Sequence, residues 1–313
     1  MTDDSSRRAE TAADAESAFK VLSHDLRLEI LLALWDARDY RLSFSELRKA
    51  VGERDSGSFN YHLEQLQDHF VTKTERGYEL QYPGHRVLDA IQSGVFHKET
   101  SIGPVSLDEA CGECGGTLTF EYDTDCIARI RCTDCSNRIL EWPFDPGGTA
   151  DREPDAIVAA FDRRTRDIWA CALDGICPFC AGRVERELTR SVQEQGACVG
   201  VVEQFERYDE YFASDHPAIT SVNCNRCSFY SFVPVGVVLL NDTMVAIRLR
   251  DAGLDVEATP MWGLGFIVDA AALTIDETDP IRIEVAIPDV NEDLTFTVDE
   301  KLAVTQKSAP DGR

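Results

Sequence analysis

Between Phe19 and Tyr82 the spacing of apolar residues changes period, and each change marks an element. Leu26, Ile30, Leu31 and Leu34 recur at i, i+4, i+5 and i+8, which lines one buried stripe along a helix, and Asp25 ahead of them is the expected N-cap. Ser43 followed three residues later by Glu46 is a capping box, and Phe44, Leu47 and Val51 supply the stripe of a short helix that Gly52 stops. A third helix begins near Ser56, with Phe59, Leu63 and Leu66 facing inward. From Val71 to Tyr82 the period drops to two, in runs on either side of Glu75-Arg76-Gly77, which predicts a β-hairpin.

The outward face of the third helix is polar but uncharged where it starts. Ser56, Ser58, Asn60, Tyr61 and Gln65 can all exchange hydrogen bonds, and the first turns of a recognition helix are where base edges come within reach. Gly57 keeps that approach uncrowded, and Lys73 and Arg76 on the hairpin would sit near phosphates. These seven side chains are the candidate DNA contacts. The competing reading is a three-helix bundle whose hairpin serves dimerisation alone. His62 reads either as a phosphate contact or as a packed ring, and Arg27 as the partner of an acid such as Glu29 or Asp25, or of a carbonyl.

Two of these segments resemble a known family. Ser23 to Leu31 is similar to the S-x-x-x-R-x-x-I-L opening of ArsR-type winged helix-turn-helix regulators, and His62 to Leu66 to their H-L-x-x-L recognition helix. The resemblance covers residues 15 to 97. It implies a homodimer on double-stranded DNA, paired through an N-terminal helix (Ala15 to Val21) and a helix after the hairpin (Pro83 to Phe96). Metal-sensing members carry cysteines in the helix that precedes the recognition helix. Here that helix reads Phe44-Ser45-Glu46-Leu47-Arg48, and the first 97 residues hold no Cys.

Beyond residue 97 the chemistry lies in cysteine spacing. Cys111-x2-Cys114 with Cys132-x2-Cys135, and Cys177-x2-Cys180 with Cys224-x2-Cys227, each offer four thiolates, the donor set of a closed tetrahedral zinc site. Two structural zinc ions are expected. Between the first knuckles Leu118, Phe120 and Tyr122 alternate with Thr117, Thr119 and Glu121, and Ile127 and Ile130 follow, as in the hairpin of a zinc ribbon. The second set reads as a ribbon interrupted by an insertion that carries Val199 to Tyr211. Cys126, Cys171 and Cys198 are left over and read as small buried hydrophobes. A long helix is expected from Glu153 to Leu173. Another runs from Met244 to Ala252 behind Asn241 or Asp242. Strands follow at Leu273 to Ile275, Ile281 to Ile287, Leu294 to Val298 and Leu302 to Thr305. The fold class is α+β. A disordered tail (1–14) precedes a winged helix-turn-helix domain (15–97) and a first zinc ribbon (98–150). A domain of helix, second ribbon and antiparallel sheet (151–306) and a disordered tail (307–313) complete the chain, with a minor boundary at Gly147-Gly148.

Composition changes the picture in one respect. The 313 residues are 43% hydrophobic, ample for real cores, but 31 basic against 56 acidic residues leave a net charge of −25, and only six of the basic residues are Lys. That usage fits a salt-saturated cytoplasm, where screening is short-ranged. The first 97 residues hold 12 basic and 17 acidic side chains and the remainder 19 and 39, so the acid is concentrated away from the candidate DNA reader. Phosphate neutralisation then supplies a modest share of affinity, with a shallow salt dependence. The polar, acidic start lacks the features of a signal peptide, and the longest apolar run, Val233 to Leu240, is far below the roughly 20 residues of a membrane span, so a cytoplasmic protein is expected. Sites saturated by sulfur leave no place for a catalytic water, and the six His are scattered, which argues against an enzyme. The leading expectation is a DNA-binding transcription regulator whose C-terminal domain senses, dimerises or meets a protein partner. The alternative is a zinc-ribbon interaction scaffold whose winged helix serves dimerisation.

Overall fold

The computed structural model describes residues 16–67, 69–189, 219–278 and 280–307. The expected tail at residues 1–14, the expected tail at 307–313 apart from Lys307, the insertion at Val199 to Tyr211, and Cys198 lie outside the described residues; Lys307 itself is held, its amide donating to the Thr295 carbonyl at 3.0 Å. The chain divides into two compact units, Met1–Lys98 with Asp145–Gly147, and Glu99–Phe144 with Gly148–Arg313. The expected segments 98–150 and 151–306 thus fall almost wholly within the second unit. The class is α+β, with small antiparallel sheets.

In the first unit, a helical stretch at residues 16–22 (α1) leads into α2 (Asp25–Asp36). The N-cap of α2 is His24, whose Nδ1 accepts from the Leu26 amide at 3.2 Å. This corrects the expectation of Asp25, which is instead the first helical residue, where an acid complements the helix dipole. Strand β1 (Arg41–Leu42) precedes α3 (Phe44–Ala50), and the capping box forms as expected, Ser43 and Glu46 exchanging backbone-to-side-chain bonds. Asp55 caps α4 (Ser56–Gln67) through the amides of Gly57 at 2.8 Å and Ser58 at 3.4 Å. Ile30, Leu31, Leu34, Leu47, Phe59, Leu63, Leu66 and Leu88 are wholly enclosed, so the three apolar stripes meet in one core. The hairpin, β2 (Val71–Thr74) and β3 (Gly77–Leu80), is joined by β1 in the order β1-β3-β2. Arg41 lies opposite Glu79 and Leu42 opposite Tyr78. Helix α5 (Tyr82–Gln92) is shorter than expected because Ser93 caps it and Gly94 turns left-handed (φ 83°).

In the second unit, β4 (Ile102–Ala110), β5 (Thr117–Tyr122), β6 (Ile127–Cys132) and β7 (Arg138–Pro143) form an antiparallel sheet in chain order. The long helix α6 (Pro154–Leu173) follows, with Glu153 at its N-cap position. A second sheet of β8 (Val184–Thr189), β9 (Ile219–Cys224) and β10 (Tyr230–Pro234) comes next. Helices α7 (Val235–Leu240) and α8 (Thr243–Asp251), the latter capped by Asp242, lead to the short α9 (Gly265–Val268). Strands β11 (Leu273–Thr278), β12 (Ile281–Ala286), β13 (Thr295–Asp299) and β14 (Val304–Gln306) close the unit as an antiparallel meander.

Helix α6 connects the first two sheets. Phe161 is fully enclosed between Phe120 and Phe144, with ring centroids at 5.8 and 5.7 Å, and burying such a ring contributes about 3 kcal/mol. Two turns on, Trp169 packs against Trp142 of β7 at 5.8 Å and donates its Nε1–H to Ser231 of β10 at 3.1 Å. The longest apolar run, Val233 to Leu240, spans the end of β10 and the buried helix α7. No helix among the described residues is long and apolar enough to cross a membrane.

Candidate metal centres and nucleic-acid interface

The eight paired cysteines converge as two groups of four, Cys111, Cys114, Cys132 and Cys135, and Cys177, Cys180, Cys224 and Cys227, with all ligand atoms of a group within 4.8 Å of one another. Four sulfurs held at ~2.3 Å from one ion in tetrahedral array stand ~3.8 Å apart. Cys111 and Cys135 lie 3.8 Å apart, and Cys114 and Cys132 3.5 Å. In the second group Cys177–Cys227 and Cys180–Cys224 are each 3.5 Å. The donor set therefore fits a single soft metal ion in each place.

Backbone amides prepare the thiolates. The Gly116 N–H points to Cys114 Sγ at 3.4 Å, and those of Arg226 and Cys227 point to Cys224 Sγ at 3.3 and 3.5 Å. The amides of Cys135 and Asp134 bring the Cys132 thiol down to about 7, against the opposing push of burial. Burial also raises Cys224, but the amides of Cys227 and Arg226 outweigh it and bring this thiol to about 7. Each group thus holds one thiol closer to ionisation than an ordinary cysteine.

The two centres are built on the same backbone pattern. Cys111 N–H donates to Gly116 O at 2.9 Å, and Cys177 N–H to Gly182 O at 2.8 Å. Cys132 N–H donates to Asn137 O and Cys224 N–H to Phe229 O, both at 2.9 Å. Left-handed residues stand at matching places, Gly115 (φ 72°) and Ala181 (φ 56°). Strands β5-β6-β7 and β8-β9-β10 then repeat one order, first knuckle, strand, strand, second knuckle, strand. Cys126 and Cys171 belong to neither group. Both are half-buried where full burial was expected, Cys126 in the β5–β6 turn and Cys171 with its thiol pushed up by burial.

On α4 the candidate contacts Ser56, Asn60 and Tyr61 are exposed, while Ser58 and Gln65 are half-buried. Asn60 Nδ2 donates to Glu64 Oε1 at 2.7 Å, so its amide is held on the outward face. Lys73 and Arg76 are exposed on the hairpin, Lys73 Nζ lying 5.8 Å from the Tyr78 ring centroid. Exposed Asp55, Glu64 and Glu75 share this region, so it is not a basic surface. His62 is buried, and its Nδ1 accepts from Arg27 Nε at 3.2 Å, which removes it from phosphate reach. Arg27 also donates to the Val21 carbonyl at 2.9 Å, so its partners are a carbonyl and an imidazole and not Glu29 or Asp25. The rings of His24 and His62 pack against each other, with centroids 3.9 Å apart and planes tilted by 39°. Their positions lie 38 apart in sequence, and no local pattern announces the pairing.

Two family models match the chain, Domain of unknown function (DUF7347) over residues 15–91 and Domain of unknown function (DUF7351) over residues 108–304, the second covering more than half of its length. No curated protein and no solved structure matches.

Proposed function

The chain belongs to the family of the Domain of unknown function (DUF7351), and we propose that it is a DNA-binding transcription regulator with an N-terminal winged helix-turn-helix and a C-terminal unit built on two zinc ribbons. In this reading α3 and α4 are the helix-turn-helix and β2–β3 is the wing. Ser56, Ser58, Asn60, Tyr61 and Gln65 meet base edges in the major groove, and Lys73 and Arg76 meet the flanking phosphates. The observation that carries it is the division of α4: Phe59, Leu63 and Leu66 are wholly enclosed, while the opposite face leaves Ser56, Asn60 and Tyr61 open to solvent. Uncharged hydrogen-bonding groups on the open face of the first turns are what a base-reading helix presents.

Zinc is the ion that suits four thiolates in a closed shell, and it would supply folding energy and no chemistry. A homodimer on a two-fold site follows from the ArsR-type resemblance of residues 15 to 97. Few cations line the reading face, so specificity rests on hydrogen bonds and binding loses little affinity as salt rises. The test is to sequence genomic fragments that copurify with the full-length protein in molar KCl. One enriched inverted repeat, lost with Asn60→Ala and with Lys73→Glu/Arg76→Glu, is the expected result; a flat fragment distribution sinks the reading.

A further inference from the structure

The two four-cysteine centres share a backbone but carry opposite chemistry at their tips, and we infer that the second is a contact surface for single-stranded nucleic acid. Matching the centres cysteine by cysteine places Glu113 opposite Phe179, Asp134 opposite Arg226 and Thr117 opposite Arg183. The glycine after each first knuckle verifies the match. A Cβ added at Gly116 would meet the Asp134 side chain, and one added at Gly182 would meet Arg226 Cβ at 3.1 Å.

At the first centre these positions serve the fold. Asp134 Oδ2 accepts from the Thr117 amide at 3.2 Å, and Glu113 adds a second exposed carboxylate, so the tip repels anions. At the second centre the same positions hold two exposed guanidiniums, Arg183 and Arg226, and neither has an acid partner among the described residues. In a chain of net charge −25, two cations placed side by side at one tip call for an anion. Exposed Glu185, two residues after Arg183, accepts from Asn225 Nδ2 at 2.9 Å and forms no ion pair with either arginine.

The third member of the tip is aromatic. Phe179 is 53% exposed, and it rests against buried Phe229 with centroids 5.5 Å apart. The ring is therefore backed on one side and open on the other. A half-open ring on the first knuckle of a four-cysteine group, with Arg183 just after that knuckle and Arg226 on the second, offers what an unpaired base and its phosphates need, a stacking platform with cations for the backbone. Duplex DNA keeps its bases stacked and offers such a ring nothing, so the partner is a single strand. An acidic protein segment would satisfy the arginines but leave Phe179 unused.

The experiment uses full-length, zinc-loaded protein and a fluorescein-labelled dT oligomer of about 12 nucleotides, followed by anisotropy. Phe179→Ala and Arg183→Ser/Arg226→Ser should each weaken binding by about tenfold or more with zinc content unchanged. Lys73→Glu/Arg76→Glu, which tests the duplex-reading face, should leave this affinity alone. Phe179→Trp keeps the ring and the fold, and its emission should be quenched on adding the oligomer. Wild-type affinity in the Phe179→Ala variant, unchanged emission in Phe179→Trp, or equal quenching by a polyglutamate peptide would each overturn the assignment, the last in favour of an acidic protein partner.

Discussion

The imidazole rings of His24 and His62 lie with centroids 3.9 Å apart, joining the cap of α2 to the middle of α4. Arg27 closes the group by donating to His62 Nδ1 at 3.2 Å. Burial holds His62 below its ordinary value of 6.5, and His24 and Arg27 push in the same direction, with Glu53 pulling weakly back. The arrangement wants this ring neutral. As pH falls through about 6.5 the unfolded chain takes up the proton before the folded one, so stability is complete above that value and drains away below it. Hydrogen exchange, corrected for intrinsic rates, should show protection of α2 and α4 amides falling between about pH 7 and 5.5 in the wild type. His62→Gln, which keeps an acceptor for Arg27 but cannot be charged, should flatten that dependence. Equal pH dependence in the two proteins would show that His62 is not its source.

Both four-cysteine groups feed one core. Cys111, Cys132, Cys177 and Cys224 are buried in the same cluster as Phe161, Trp169 and Trp262. Losing either ion should therefore loosen the whole second unit. Wild-type protein should hold two zinc ions per chain by metal analysis. Cys132→Ser or Cys224→Ser should hold one, with cooperative unfolding of β4 to β14 at a temperature many degrees lower. Cys126→Ser and Cys171→Ser should keep both ions. Three ions, or none lost from either ligand variant, would contradict the assignment of ligands.

Gly77 sets how closely β1 can approach the hairpin. Its φ is 132°, a left-handed conformation, and a Cβ there would stand 2.4 Å from the Leu42 carbonyl oxygen. Gly77→Ala should cost more than about 1 kcal/mol, because strain and the backbone clash act together. The pairing of Arg41 with Glu79 should open first. Amide exchange at Tyr78 and Glu79 measures this directly, and unchanged protection there would show that the strand can shift at little cost.

What was legible follows from how local each signal is. Phe59, Leu63 and Leu66 announce α4 because a helix repeats its signal over several turns, and the cysteine knuckles announce themselves because thiolate geometry fixes a two-residue gap. Strand β1 has two residues, too few to carry a period. His24 displaced Asp25 as cap because an imidazole nitrogen can accept an amide hydrogen bond, which the usual ranking of caps passes over. Strand β4 was hidden because Gly103-Pro104 interrupt its start and because Glu109, a carboxylate that accepts from Trp262 Nε1, holds one of the inward places of an otherwise regular alternation. The equivalence of the two centres was legible only in the paired knuckles, which suggest a duplicated unit whose sequences scarcely align beyond them. It resides in backbone bonds such as Cys111 to Gly116 and Cys177 to Gly182, which constrain side chains hardly at all, so Glu113 and Phe179 can occupy one position.

The ion pair of Asp162 and Arg166 ties α6 to the segment before α9. Arg166 Nε donates to Asp162 Oδ2 at 2.8 Å, and its remaining nitrogens reach the carbonyls of Val256 at 2.8 Å and Thr259 at 2.5 Å. Asp162 Oδ1 in turn accepts from the Met261 amide at 2.9 Å. Both side chains are largely buried, 14% and 12% exposed, so each change leaves the other group desolvated. Arg166→Met should cost about 3 kcal/mol or more, since it strands a carboxylate and two carbonyls at once. Asp162→Asn should cost less, about 1–2 kcal/mol, because an amide oxygen still accepts from Met261. In the double variant the penalties should sum to less than their total, the coupling being about 1 kcal/mol or more. Denaturant midpoints of the four proteins decide the matter, and strict additivity would mean that Arg166 acts through the two carbonyls alone.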